Sequence, residues 1–172
     1  DESQLAGFVP EPEFRDAEEL REKASQIILH LNDAKRPLIL AGNGVKLAGA
    51  RDILIKFAED NQIPVLLTWK AVDFLDYDHP LNFGSPGILG CRCANFMVQN
   101  CDLLLIIGCR LEPSITAFNS AGFGINARKI MVDIDAAEVR KIENIDISVV
   151  ADAGDFLREL TLRQKDILIT ER

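Results

Sequence analysis

Five short, unbroken apolar runs recur along this chain: PLILAG (37–42), PVLLTW (64–69), DLLLIIG (102–108), KIMVDID (129–135) and ISVVAD (147–152). A strand with one wet face alternates apolar and polar residues, because successive side chains point to opposite sides. Runs without that alternation fit strands covered on both faces, as in a parallel sheet held between helices. Stretches of helical period separate them. Leu47, Ala50, Ile53, Leu54, Phe57 and Ala58 predict one helix, Ala94, Met97 and Val98 a shorter one near 90–100, Ala136 to Ile142 a third, and Asp155 to Leu162 a fourth. A further helix precedes the first strand on Phe14, Ala17, Leu20, Ala24, Ile27, Ile28 and Leu31, and stops at Asn32-Asp33 before Pro37. Strand and helix in this alternation predict an α/β fold, a doubly wound, mostly parallel sheet of five to six strands with helices on both faces.

With 172 residues, of which 48% are apolar, the chain fits one domain with a real core. Residues 1–13, DESQLAGFVPEPE, are polar with two prolines and read as a linker, 14–165 as the domain, and 166–172 as the start of the next linker. The domain is therefore expected to sit inside something larger. Lys and Arg number 19 against 27 Asp and Glu, and a net charge of -8 repels nucleic acid and anionic lipid. No apolar run reaches the roughly 18–20 residues of a membrane span, and residues 1–25 are acidic where a signal peptide would be basic then apolar, so a cytoplasmic home is expected. Cys91, Cys93, Cys101 and Cys109 contain no CxxC pair and have no nearby histidine, which argues for buried or reduced thiols and against zinc.

In a doubly wound sheet the ligand crevice lies at the carboxyl ends of the strands. The loops there carry Gly42-Asn43-Gly44, Thr68-Trp69-Lys70, Gly108-Cys109-Arg110, Asp133-Ile134-Asp135 and Asp152-Ala153-Gly154. A conventional NAD fingerprint is disfavoured, because no third glycine opens the helix and the second strand ends in Thr68-Trp69 where an acid belongs. Gly42 and Gly44 either let a phosphate or a ring approach the bare backbone or simply make a tight strand-to-helix turn. Asp133 can bind the two hydroxyls of a ribose; the competing role, capping a helix, suits Asp135 better. Arg110 can neutralise a pyrophosphate or pair with Glu112 or Asp133. No catalytic residue emerges: His30 ends a helix, His79 precedes Pro80 in a loop, no serine sits in a nucleophile elbow, and Asp73, Asp76 and Asp78 lack the spacing of a calcium loop.

Taken in order, AKRPLILAGNGV, IPVLLTWKAVDFLDYDHPLNFGSPGILG, CDLLLIIGCRLEPSITAF, ARKIMVDIDAAEV and VVADAGDFLREL resemble the central domain of thiamine-diphosphate enzymes of the acetolactate synthase type, across residues 5–162. The resemblance implies a Rossmann-like, DHS-like domain whose flanking domains hold thiamine diphosphate and magnesium, in a full-length parent that decarboxylates and ligates 2-keto acids and is a homo-oligomer. It implies that this stretch alone has no such activity. In that family the domain carries a structural FAD, and relatives place ADP or nothing in the same crevice. The matching positions are Gly42, Asn43 and Gly44; Thr68 and Trp69; Gly84, Ser85 and Gly87 in the loop that passes the flavin; Gly108 and Arg110; Asp133 and Ile134; and Asp152 and Ala153 on the adenine side.

The flavin half departs from the family: its GMHG is Gly84-Ser85-Pro86-Gly87 here, and the second arginine of its RFDDR falls on Ser114. Losing a histidine and an arginine removes donors from the ring and phosphate region. An adenine-nucleotide pocket is therefore expected over tight FAD binding, with Trp69 either stacking on a ring or filling the pocket. A stand-alone adenine-nucleotide or NAD-binding module, and a purely structural interaction domain, are the competing readings.

Overall fold

The computed structural model describes residues 17–142 and 144–167. Helix α1 (Ala17–Asp33) leads into strand β1 (Pro37–Ala41), followed by helices α2 (Asn43–Leu47) and α3 (Arg51–Asp60), strand β2 (Val65–Leu67) and helix α4 (Arg92–Asn100). Strands β3 (Leu103–Ile107) and β4 (Arg128–Asp133), helix α5 (Ala136–Lys141), strand β5 (Ile147–Val150) and helix α6 (Ala153–Leu162) complete the succession. Phe14 and the expected linker at 1–13 lie outside the described residues.

All strand pairings are parallel, in the order β2-β1-β3-β4-β5. Segment Leu81–Gly84 adds a partial sixth member beside β2, where Val65 N donates to Leu81 O and Leu67 N to Gly84 O. Alternate strand residues feed two cores. Ile39, Leu105, Ile107 and Val132 pack with Ile27 and Leu31 of α1, Leu54 and Phe57 of α3, and Phe156 and Leu160 of α6. Leu38, Leu40, Ile106 and Met131 pack on the other face with Ala94 and Val98 of α4 and Val139 of α5. This explains the apolar runs of β1 to β3 and of 130–132 in β4, whose side chains are all buried, while Arg128 at the start of β4 is exposed.

The sequence reading is corrected at three elements. The run ISVV alternates buried and exposed, with Val150 56% exposed, because β5 is the edge strand and its second face, bearing Ser148 and Val150, stays open to solvent. The single helix expected from Leu47 to Ala58 is two. Gly49 at φ +62 closes α2 while Ala48 N, Gly49 N and Ala50 N return to Gly44, Lys46 and Val45 carbonyls, and Leu47 turns outward. The second strand ends at Leu67, and Trp69–Ala71 form a 3-10 turn.

Candidate functional site

Strand order reverses between β1 and β3, and at such a switch point the loops leaving the two strands diverge and open a crevice. The crevice found there has a volume of about 340 Å³. Gly42, Asn43 and Gly44 form its floor on the β1 side and Gly108 on the β3 side. Thr68 and Trp69 close one flank, and Arg110, Asp133 and Ile134 the other. Nine candidates from four separate stretches thus meet in one cleft, together with Glu112, weighed from the sequence only as a partner of Arg110, and Leu47 and Ile115, which the sequence reading did not place at the site.

The glycines of the floor serve the protein first. Gly42 N donates to Ile107 O at 2.9 Å and Gly44 N to Gly108 O at 2.9 Å. A Cβ on Gly44 would stand 2.7 Å from Gly108 Cα, and one on Gly42 would overlap the Gly108 carbonyl. Their missing side chains make room for the neighbouring loop, so the tight-turn reading accounts for them, and their N–H groups are not free for a phosphate.

Asp133 is only 9% exposed and its Oδ1 accepts from Asp135 N at 3.0 Å. Asp135 caps α5 by accepting from Ala137 N at 2.8 Å. Arg110 pairs with neither acid weighed from the sequence. Its Nε lies 3.8 Å from Glu138 Oε1 in the first turn of α5, while Lys141 holds the other carboxylate oxygen at 3.1 Å. With its side chain 63% exposed, Arg110 can leave that weak contact for an anion at small cost. Trp69 is 56% exposed at the rim.

Five candidates lie outside this lining. Asp152 caps α6, accepting from Gly154 N at 2.9 Å and Asp155 N at 3.2 Å, and Ala153 is buried beneath it. Ser85 lines an adjoining recess that shares Thr68, Trp69 and Ile115 with the crevice. Gly84 faces a separate cleft near Cys91 and Cys93. Gly87, at φ +109, is fixed by Asn95, whose Oδ1 accepts from Gly87 N at 2.8 Å and whose Nδ2 donates to Gly87 O at 3.0 Å. Asn95 had no legible signal, since an asparagine within a helical pattern does not announce a loop as its partner.

Among the described residues no group of His, Cys, Asp and Glu could hold a metal ion, and no helix is long and apolar enough to cross a membrane. Cys101 and Cys109 are buried, Cys91 and Cys93 exposed. Burial, then Asp102, pushes the Cys101 thiol up to about 11. Burial, with Asp133 and Glu112 beside it, pushes Cys109 up further still. The thiolate is the reactive form. An aromatic disulfide reagent at neutral pH is therefore expected to label Cys91 and Cys93 in the folded chain and to reach Cys101 and Cys109 only after denaturation, as peptide mapping of the labelled sites would show.

Comparison with known proteins finds relatives of this chain by sequence. Residues 24–160 match the family described as thiamine pyrophosphate enzyme, central domain. A probable acetolactate synthase large subunit of Methanococcus aeolicus is 41% identical over 138 residues, covering 80% of this chain and 23% of that protein. The acetolactate synthase isozyme 1 large subunit of Escherichia coli is 37% identical over 143 residues, covering 83% of this chain and 24% of that protein. The chain thus spans about a quarter of the length of the curated relatives it matches.

Proposed function

Because the chain belongs to the thiamine pyrophosphate enzyme central-domain family, we propose that it acts as the non-catalytic middle domain of an acetolactate-synthase-like enzyme and binds an adenine nucleotide at its switch-point crevice. In this reading thiamine diphosphate and magnesium belong to flanking domains of the parent, which carry out decarboxylation and ligation of 2-keto acids. The convergence of Asn43, Trp69, Arg110 and Asp133 on one cleft carries the nucleotide part. Asp133, anchored by its Asx turn, offers its remaining carboxylate oxygen to ribose hydroxyls. Arg110 supplies paired donors for phosphate, and the exposed Trp69 face a surface for a ring.

Size and chemistry favour ADP over FAD. The crevice lies at the lower end of the roughly 300–1,000 Å³ of small-molecule pockets. The flavin of an FAD would have to enter the adjoining recess, where Pro86 stands in place of the family's histidine.

A thermal-shift titration tests this. ADP at a hundred times its dissociation constant adds about 2.7 kcal/mol, which for a chain of this size raises Tm by roughly 5–10 °C. The only tryptophan, Trp69, should report the same event by fluorescence. No shift with ADP at millimolar concentration would refute the nucleotide reading. The same sample given pyruvate, thiamine diphosphate and magnesium should release no carbon dioxide, and turnover would refute the non-catalytic role.

A further inference from the structure

Around the loops that follow β1 and β2, five large apolar side chains stand more than half exposed: Leu47, Trp69, Val72, Tyr77 and Leu89. Exposed apolar residues scattered singly are ordinary on a folded chain, whereas contiguous ones mark an interaction surface. These five are contiguous. Leu47 and Trp69 share the crevice, Trp69 and Leu89 share the adjoining recess, and Leu89, Val72 and Tyr77 share a further groove of about 630 Å³. The lining of that groove contains no Asp, Glu, Lys, Arg or His. It does contain Cys91 and Cys93, the two exposed thiols.

Ordered turns hold the apolar side chains outward. Asn82 Nδ2 donates to Asp76 O at 2.9 Å and so ties down the turn that bears Tyr77. Gly90 N donates to Gly87 O at 3.1 Å and Cys91 N to Ser85 O at 2.9 Å, which closes the turn that bears Leu89. Upstream, the Arg51 guanidinium of α3 donates twice to Phe74 O, at 3.0 and 2.9 Å. A surface fixed in this way loses little freedom when something docks on it.

The length of the relatives says what covers it. This chain spans about a quarter of them, so in the middle-domain reading about three quarters of the parent lies in flanking domains. A tethered domain meets the band at an effective concentration in the millimolar range, well above that of a second free copy. We propose that the band, centred on Val72, Tyr77 and Leu89, is the docking surface for a flanking domain of the same parent chain, which seats in the groove and covers Cys91 and Cys93. This rests on the middle-domain part of the reading above and is independent of its nucleotide part.

Thiol labelling at neutral pH, with peptide mapping, of the 172-residue chain and of the full-length parent provides the test. Cys91 and Cys93 should react about ten-fold or more slowly in the parent than in the 172-residue chain, at a rate independent of protein concentration. Leu89→Asp and Tyr77→Asp alter side chains 86% and 99% exposed, which the domain itself tolerates, and each should restore fast labelling in the parent. Val150→Asp on β5, at the opposite edge of the sheet, should not. Equal labelling rates in parent and 172-residue chain, protection that persists in both the Leu89 and Tyr77 variants, or protection lifted equally by Val150→Asp would each overturn the docking surface and leave the middle-domain role standing. Protection that grows with protein concentration would assign the groove to a second copy and overturn it likewise. A native polypeptide without flanking domains would overturn both.

Discussion

Replacing Gly108 by alanine is expected to destabilise the chain by about 4 kcal/mol and to abolish any ADP-dependent rise in Tm. Gly108 lies at φ +55, where an L side chain costs about 1–2 kcal/mol. Its added Cβ would stand 2.7 Å from Val45 N and 2.8 Å from Gly44 Cα. These are backbone atoms that no rotamer change can move aside, so the two loops must part, and the Gly44 N to Gly108 O hydrogen bond goes with them. At about 3 °C per kcal/mol, Tm falls by roughly 12 °C. Gly49→Ala is the control: it has a similar φ of +62 but nothing within 4 Å of the added Cβ. It should cost only about 1 kcal/mol and leave ligand binding intact. Equal losses in the two variants would show that close approach of the loops contributes nothing.

Phe156→Ala is expected to cost a similar amount for a different reason and with a different signature. Phe156 is fully buried on α6 in the core that also holds Phe57 of α3 and Leu31 of α1. Removing its ring leaves a cavity as well as lost burial, together about 3–5 kcal/mol. That is a large share of the roughly 5–15 kcal/mol available to a domain. The urea midpoint should fall with an unchanged slope, since the surface exposed on unfolding is nearly the same. The ADP-dependent Tm shift should survive, because Phe156 lies away from the crevice lining. A loss below about 1 kcal/mol would mean that α6 does not close this core as described.

The strands were legible because a strand buried on both faces leaves little room for polar side chains, and β1 to β3 obey that at every residue, while β4 keeps it over 130–132 between charged ends. Edge strand β5 was misread because Val150 is apolar without being covered. The break between α2 and α3 was missed because Leu47 keeps the helical period of the residues after it, while Gly49 redirects the chain. At the site, Asp133 and Arg110 were visible at strand ends, but the partner of Arg110 was not. Glu138 lies 28 positions further on, and only the β4-to-α5 turn brings it alongside.

Periodicity, charge and the order of five motifs fixed the α/β class, the strand ends as the place to look, and the family, since each depends on residue type and spacing along one chain. Tertiary structure alone decided that Gly42, Gly44 and Gly108 make room for each other's loops and that Arg110 lies alongside Glu138. Those outcomes turn on contacts of a few ångströms between segments tens of residues apart, and the order β2-β1-β3 that brings them together is a property of the folded sheet.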